Sequence, residues 1–218
     1  LRNGASLSTN ANYAIYLGNS EGGPAKGNAS MTLESGSSLN VKNLTLHADG
    51  KVEEVAGAKA STSVSMTDST LNVTGTLTNN GTFTVAGEST LNIAAATGKA
   101  VDFADGAVIT STTGANFSDA THYIGGVTFG SGKFNFAGGA YVSGGELTLN
   151  AGAEVAAATT FAFYNNATIA DGASVSANSV YVNGGDITLN GNLTAKGNDG
   201  GLLLRNSNES FNVDGGNG

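Results

Sequence analysis

Short runs in which apolar and polar residues alternate recur along the chain, one every six to eight residues. Clear examples occupy residues 127–129, 134–136, 140–142, 147–149 and 155–157. Alternation over so few residues is typical of a β-strand that buries one face, and the Gly-Gly, Asn-Gly and Asp-Gly pairs between the runs are turn signals. The pattern therefore predicts many short strands and leaves no room for a helix.

Every third run returns at a fixed spacing, as from position 127 to position 147. The segment GGELTLN at 144–150 reappears as GGDITLN at 184–190, two such spacings later. A fixed period of this length with three strands is the signature of a parallel β-solenoid, in which each strand pairs with its counterpart one coil away. One position carries the same residue type in four successive repeats, at Thr128, Thr148, Thr168 and Thr188.

We therefore predict an all-β fold, a right-handed parallel β-helix with about 20 residues and three short strands per coil. The variable steps between strands favour the right-handed form, because a left-handed hexapeptide coil needs a rigid period of about 18 residues. We expect residues 1–218 to form one domain of at most about 11 coils, a rod of roughly 40–50 Å at about 4.8 Å per coil. The opening LRNGASLSTN has no initiator methionine and no signal-peptide pattern, so we expect the chain to be an excised segment of a longer protein.

Two stretches interrupt the repeat and are predicted to protrude as loops. The motif Leu-Asn-Val at 39–41 precedes its copy at 71–73 by twelve positions more than the ordinary period, which places an insertion near 47–63. A second excursion near 18–30 contains the only proline. Long loops cost a solenoid little entropy and often carry recognition. The charged residues of the first loop are therefore candidate binding residues: Lys51, Glu53, Glu54 and Lys59.

Composition narrows the possible partners. The net charge of −8 repels phosphate backbones and anionic membranes, so we expect no nucleic-acid partner. No apolar run is long enough to span a bilayer, and we expect no membrane insertion of this segment. Because the chain has no cysteine, neither a disulfide nor a thiolate nucleophile nor a zinc–thiolate site can form.

Candidate catalytic chemistry is sparse. Glu146 and Asp186 share one column, two coils and so about 9–10 Å apart, which is within the range of an inverting glycosidase pair. Both follow Gly-Gly at a turn and no basic residue shares the column, so we interpret them as solvated turn residues and predict no enzyme activity. His47 and His122 are expected to be surface loop residues. We predict no metal site and no cofactor.

Two further columns are candidate binding surfaces. Tyr141, Phe161 and Tyr181 recur at the same fixed spacing. If their smaller neighbours point inward, the rings form an exposed strip that can stack on sugars or pack on another protein; if the rings point inward, they are core. The threonine column should point outward and could bind ice. Ice binding, however, needs paired Thr-x-Thr columns, so we interpret it as sheet-stabilising.

Two segments, LNVTGTLTNNGTFTVAGESTLNIA at 71–94 and ADGASVSANSVYVNGGDITLNGNLTA at 170–195, resemble the passenger repeats of bacterial autotransporter adhesins of the AIDA type. The resemblance implies a right-handed β-helix displayed at the Gram-negative cell surface or secreted, here a fragment without the family's translocator barrel. It implies a non-enzymatic adhesin or self-association segment. The expected partner is a host-cell or bacterial surface receptor or glycan, or another copy. The alternative is a carbohydrate-active β-helix, a polysaccharide lyase or hydrolase.

Overall fold

The computed structural model describes residues 1–9, 13–18, 28–47, 50–51, 59–197, 201–204 and 211–213. Every regular element in these ranges is a β-strand. In chain order the strands are β1 (Ser6–Ser8), β2 (Ala14–Leu17), β3 (Ala29–Leu33), β4 (Ser38–Val41), β5 (Asn43–Leu46), β6 (Gly50–Lys51), β7 (Lys59–Ala60), β8 (Thr62–Thr67), β9 (Thr70–Asn79), β10 (Thr82–Ala86), β11 (Glu88–Gly98), β12 (Asp102–Phe103), β13 (Ala107–Thr110), β14 (Ala115–Phe117), β15 (His122–Ile124), β16 (Val127–Phe129), β17 (Gly132–Phe136), β18 (Ala140–Val142), β19 (Leu147–Leu149), β20 (Ala153–Phe163), β21 (Ala167–Ile169), β22 (Ser174–Val182), β23 (Ile187–Leu189), β24 (Asn192–Ala195), β25 (Leu202–Leu204) and β26 (Phe211–Val213).

The strands stack in parallel on three sides of a coil. Side A runs from β1 through β4, β9, β11, β13, β16, β19, β21 and β23 to β26. Side B runs from β2 through β5, β9, β11, β14, β17, β20 and β22 to β24. Side C holds β3, β8, β10 and β12, then β15, β18, β20, β22 and β25.

The described strands complete nine coils and begin a tenth. Coil 1 holds β1–β3, coil 2 β4, β5 and β8, coil 3 β9–β10, coil 4 β11–β12, coil 5 β13–β15, coil 6 β16–β18, coil 7 β19–β20, coil 8 β21–β22 and coil 9 β23–β25. Four long strands, β9, β11, β20 and β22, turn a corner and serve two sides each. The predicted parallel β-helix is confirmed, while its right hand stays a prediction.

The predicted register on side A is also confirmed. Leu147 pairs with Ala167, and Ala167 with Ile187, at the spacing that the repeat predicts. Leu39 pairs with Leu71 across the longer interval, as expected if the surplus leaves the coil as an insertion. Within that insertion β6 and β7 pair antiparallel as a separate two-stranded sheet.

The interior is one continuous apolar cluster along the rod. It is built from the inward residues of all three sides, and its largest fully buried rings are Phe83, Phe129, Phe134, Phe136, Phe161 and Phe163. The rings of Phe117 and Phe136 stack with centroids 4.6 Å apart. Because each coil buries its apolar residues against the coils above and below, no coil has a core of its own.

A ladder of asparagine amides stiffens the outer corner between sides A and B in coils 2 to 4. Asn72 Nδ2 donates to Asn40 Oδ1, and Asn92 Nδ2 donates to Asn72 Oδ1 at 2.6 Å. In coil 5 the ladder is capped instead of continued, since Asn92 Oδ1 accepts hydrogen bonds from the backbone N–H groups of Thr112 and Thr113 at 2.8 and 3.1 Å. The turn at 111–114 thus separates sides A and B in coil 5.

Substituting Asn92 should therefore be costly. Asn92→Ala leaves Asn72 and two backbone N–H groups without their partner, and we expect a loss of about 2–3 kcal/mol in the free energy of unfolding. Asn135→Ala is the matched control, because Asn135 makes one exposed side-chain bond, to Asn116, and should lose less than about 1 kcal/mol. Urea unfolding followed by circular dichroism measures both. Equal losses would contradict the capping role.

His122 lies in the core, so its expected position on the surface is wrong. Its strand, β15, pairs with β18, which sets His122 and Ile124 inward and Tyr123 outward. The imidazole is 0% exposed and contacts the rings of Phe117 and Phe136. Burial lowers the pKa of His122; the carbonyl groups of Ser118 and Val101 and the charge of Asp102 oppose this effect.

This burial predicts acid sensitivity. The unfolded chain takes up a proton on His122 near pH 6.5, whereas the folded chain does so only at a lower pH. The stability is therefore complete above about pH 6.5 and falls as the pH drops toward the lowered pKa. His122→Leu should remove this part of the pH dependence between pH 7 and 5, measured as urea midpoints. An unchanged slope in the variant would show that another group is responsible.

Candidate functional site

The predicted strip of Tyr141, Phe161 and Tyr181 is corrected at its centre. Tyr141 and Tyr181 face outward and are partly exposed, but Phe161 is 0% exposed and belongs to the core. Tyr141 pairs with Ala162, and Ala162 pairs with Tyr181. The side chain between the two tyrosines on the outer face is thus an alanine.

The cause is a shift in the spacing of coil 7. Its turn between sides A and B has three residues, 150–152, where coil 6 has two, 130–131. Its turn back to side A has three, 164–166, where coil 6 has four, 143–146. Between these turns the offset from coil 6 is one position longer than the repeat predicts, as in the pairing of Ala140 with Phe161. A shift of one residue exchanges the faces of a strand, so Phe161 points inward.

The strip has a member that the sequence pattern did not reveal. Tyr123 pairs with Tyr141, two positions closer along the chain than the repeat predicts, and is 69% exposed. Their ring centroids lie 5.7 Å apart. We name Tyr123, Tyr141 and Tyr181 the tyrosine ladder. The signal that could have found Tyr123 is the triplet His-Tyr-Ile at 122–124, but its spacing departs from the common period.

The ladder lies on side C in coils 5 to 8. In coils 1 to 4 the outer face of this side is polar. One column there consists of Ser30, Ser63 and Thr82, and the next consists of Thr32, Ser65, Thr84 and Asp102. Below Tyr181 the apolar strip continues to Leu203, which is exposed. Ala162, between Tyr141 and Tyr181 on the outer face, is 0% exposed.

A groove lies beside the ladder, at the corner between sides B and C in coils 5 to 9. Its volume is about 440 Å³, and its lining includes Asn135, Ala137, Ala156, Ala158, Asn178 and Lys196. Among the residues that the structure describes, no aspartate or glutamate lines it. We name it the B–C groove.

A second groove, of about 680 Å³, follows the corner between sides A and B in coils 1 to 5. It is lined by the asparagine ladder and by Lys42, and it reaches Thr113 at the turn that caps the ladder. The amides of Asn72 and Asn92 are already engaged in the ladder. No aromatic residue of the described ranges lines this groove.

The candidate catalytic carboxylates Glu146 and Asp186 stack as expected, but both are exposed to solvent. The backbone N–H of Leu147 donates to the carbonyl of Asn166, and that of Ala167 to the carbonyl of Asp186, so this turn repeats from coil to coil. In the part of the chain that the structure describes, no group of three or more histidine, aspartate or glutamate side chains could hold a metal ion.

The remaining candidates have mixed outcomes. The threonine column faces outward in register, as predicted. Lys51 and Lys59 pair through their backbones at the base of the β6–β7 hairpin, so the insertion leaves the coil as expected. Glu53 and Glu54 lie outside the described residues, as do residues 19–27 of the other predicted loop. The binding role of these loops stays a prediction.

Comparisons with known proteins give no relative. No protein-family model, no curated protein and no solved structure matches the chain. Within the described residues there is also no helix that could cross a membrane.

The inward and outward assignment on side C can be tested by stability. Phe161→Ala removes a fully buried ring and should lower the free energy of unfolding by about 3–5 kcal/mol. Tyr181→Ala removes a ring from the outer face and should cost about 1 kcal/mol or less. Urea midpoints of the two variants measure the difference. If Tyr181→Ala were the more costly change, the register of this side would have to be revised.

Proposed function

We propose that this chain is a non-enzymatic segment of a bacterial surface adhesin, located outside the cell, which binds a cell surface through the tyrosine ladder. Two things support the proposal. One is the resemblance of segments 71–94 and 170–195 to AIDA-type passenger repeats. The other, which carries the proposal, is the outward-facing ladder on one sheet face, in which Tyr123 is exposed and Tyr141 and Tyr181 are partly exposed.

Exposed aromatic side chains of this kind are strong contact residues. A tyrosine offers a large apolar ring and a hydroxyl group, and tyrosines are enriched among the residues that dominate binding energies. Here the strands hold the backbone, and the ring of Tyr123 contacts that of Tyr141. Side chains that are ordered before binding lose less entropy when a partner arrives.

Charge supports a role for short-range contacts. The chain carries a net charge of −8, and most cell surfaces are also negative, so the long-range electrostatic force is repulsive. Adhesion must then come from contacts that act at close range. Because salt screens the repulsion over a Debye length of about 10 Å at 0.1 M, binding should strengthen as salt rises from low to physiological concentration.

The proposal predicts that the ladder is needed for adhesion. Beads coated with the wild-type chain should bind cultured epithelial cells or Gram-negative bacteria. The triple variant Tyr123→Ala, Tyr141→Ala, Tyr181→Ala should bind at least about tenfold less, since removing a dominant contact residue costs about 1–2 kcal/mol or more. The readout is the number of beads retained per cell.

The control is Tyr13→Ala, which removes a tyrosine in coil 1, far from the ladder along the chain, whose exposure of 64% is close to the 69% of Tyr123. Retention should be unchanged in this variant. Wild-type beads that bind no cell type would reject the adhesin proposal. Retention that survives the triple substitution would reject the ladder as its contact surface.

The second candidate is a carbohydrate-active β-helix that uses Glu146 and Asp186. The observation in its favour is their stacking two coils apart on one turn. The screen is release of reducing ends from polygalacturonate and from neutral polysaccharides, with and without Ca²⁺. Turnover that is lost in both Glu146→Gln and Asp186→Asn would replace the adhesin proposal with this one.

A further inference from the structure

The tyrosine ladder lies directly beside the B–C groove. Only residues 138 and 139 separate the groove residue Ala137 from the strand that carries Tyr141. A Cβ placed on Gly139 would lie 3.0 Å from Cε2 of Tyr141, so the ring reaches back over Gly139 toward the corner. We use the word trough for the groove and the ladder together.

The trough has a repeat along its length. It follows coils 5 to 9, and successive coils are about 4.8 Å apart. Tyr123 and Tyr141 are one coil apart, and Tyr141 and Tyr181 are two coils apart. A linear ligand whose repeating unit is about as long as one coil can meet equivalent contacts again and again. One sugar ring of an extended polysaccharide has this length.

The lining fits a neutral sugar chain. Asn178 and Ser176 offer amide and hydroxyl groups that can hydrogen-bond sugar hydroxyls, and Asn135, whose Nδ2 donates to Asn116, offers its Oδ1 as an acceptor. The small side chains of the lining alanines leave room for a ring. The tyrosines supply the apolar surface against which the C–H face of a sugar packs. Among the described lining residues none is acidic and Lys196 is the one cation, so the groove offers nothing to a cationic ligand. The net charge of −8 disfavours a polyanion.

A protein partner fits less well. A stable protein interface buries about 800 Å² on each partner, and three tyrosines of about 150–250 Å² each supply less than that even if they were fully exposed. A second copy of the chain would also carry a net charge of −8, so the two copies repel one another. The groove between sides A and B is larger, but both the Nδ2 and the Oδ1 of its Asn72 and Asn92 are already hydrogen-bonded, and no aromatic residue of the described ranges lines it.

We infer that the trough binds a neutral, extended polysaccharide chain that lies parallel to the solenoid axis. The ladder contacts one face of the sugars, and the amide of Asn178 and the Oδ1 of Asn135 bind their hydroxyl groups. This assignment rests on the proposed function, because it names the molecule on the cell surface that the adhesin would hold.

The test is retardation of the purified chain in native gels that contain a soluble polysaccharide. The probes are hydroxyethylcellulose, galactomannan and arabinoxylan as neutral chains and polygalacturonate as the acidic one. We expect retardation by at least one neutral chain. Ala156→Leu, which enlarges a side chain that lines the groove, and Gly139→Ala, which displaces the ring of Tyr141, should each weaken it about tenfold or more.

Ala94→Leu is the matched control, because it enlarges an exposed alanine in the other groove and should leave retardation unchanged. Circular dichroism and the urea midpoint check that each variant is folded, and Tyr181→Ala serves as a second ladder variant if Gly139→Ala is not. Retardation by no neutral chain, retardation by polygalacturonate alone, or full retardation of both trough variants would overturn the assignment. So would a dimer in sedimentation that the ladder substitutions dissociate.

Treating the cells with periodate, which cleaves sugar diols, separates this assignment from the proposed function. If bead retention depends on the ladder but survives periodate, the adhesin proposal stands and the sugar assignment is wrong. If the neutral chain is bound through the trough but no cell is, the sugar assignment stands and the adhesin proposal is wrong. Loss of retention after periodate supports both.

Discussion

In-register parallel pairing between coils is the interaction on which every other feature of this molecule depends. It places each residue about 4.8 Å from its counterpart in the next coil, so the nearest neighbours of a side chain are the side chains at the same position in the coils above and below. Inward columns become the continuous apolar core, and outward columns become ladders of asparagine, threonine or tyrosine. A single residue type therefore acts through its repetition, as the amides of Asn40, Asn72 and Asn92 do at one corner.

Because strand pairing aligns every column, the alignment of two carboxylates in one column is not in itself a sign of an active site. Glu146 and Asp186 are aligned by the same pairing that aligns the other columns, and both side chains are exposed. The ladder of Tyr123, Tyr141 and Tyr181 differs because it joins alignment to an adjacent groove whose described lining lacks acidic residues. Position, exposure and neighbouring shape together single it out as a contact surface.

The sequence predicted the fold well because the strand period on side A is preserved, as in the pairing of Leu147, Ala167 and Ile187. It predicted side C poorly for a physical reason. The turns differ in length from coil to coil, so the offset between paired positions there is shorter than the common period from Tyr123 to Tyr141, longer from Tyr141 to Ala162 and shorter again from Ala162 to Tyr181, while the strands stay paired. An interpretation that counts in equal steps therefore included Phe161, which is core, and missed Tyr123. His122 was misplaced for the same reason.

The extra residue in the first turn of coil 7 and the missing residue in its last turn have opposite signs, and the total length of the coil is unchanged. Between these two turns, the residues that the repeat would place inside face outward and the reverse. Beyond the second turn the two changes cancel, and the original assignment of faces returns. A solenoid of this kind can accordingly revise what one flank displays, within a single turn of chain, while the rest of the rod keeps its pairing.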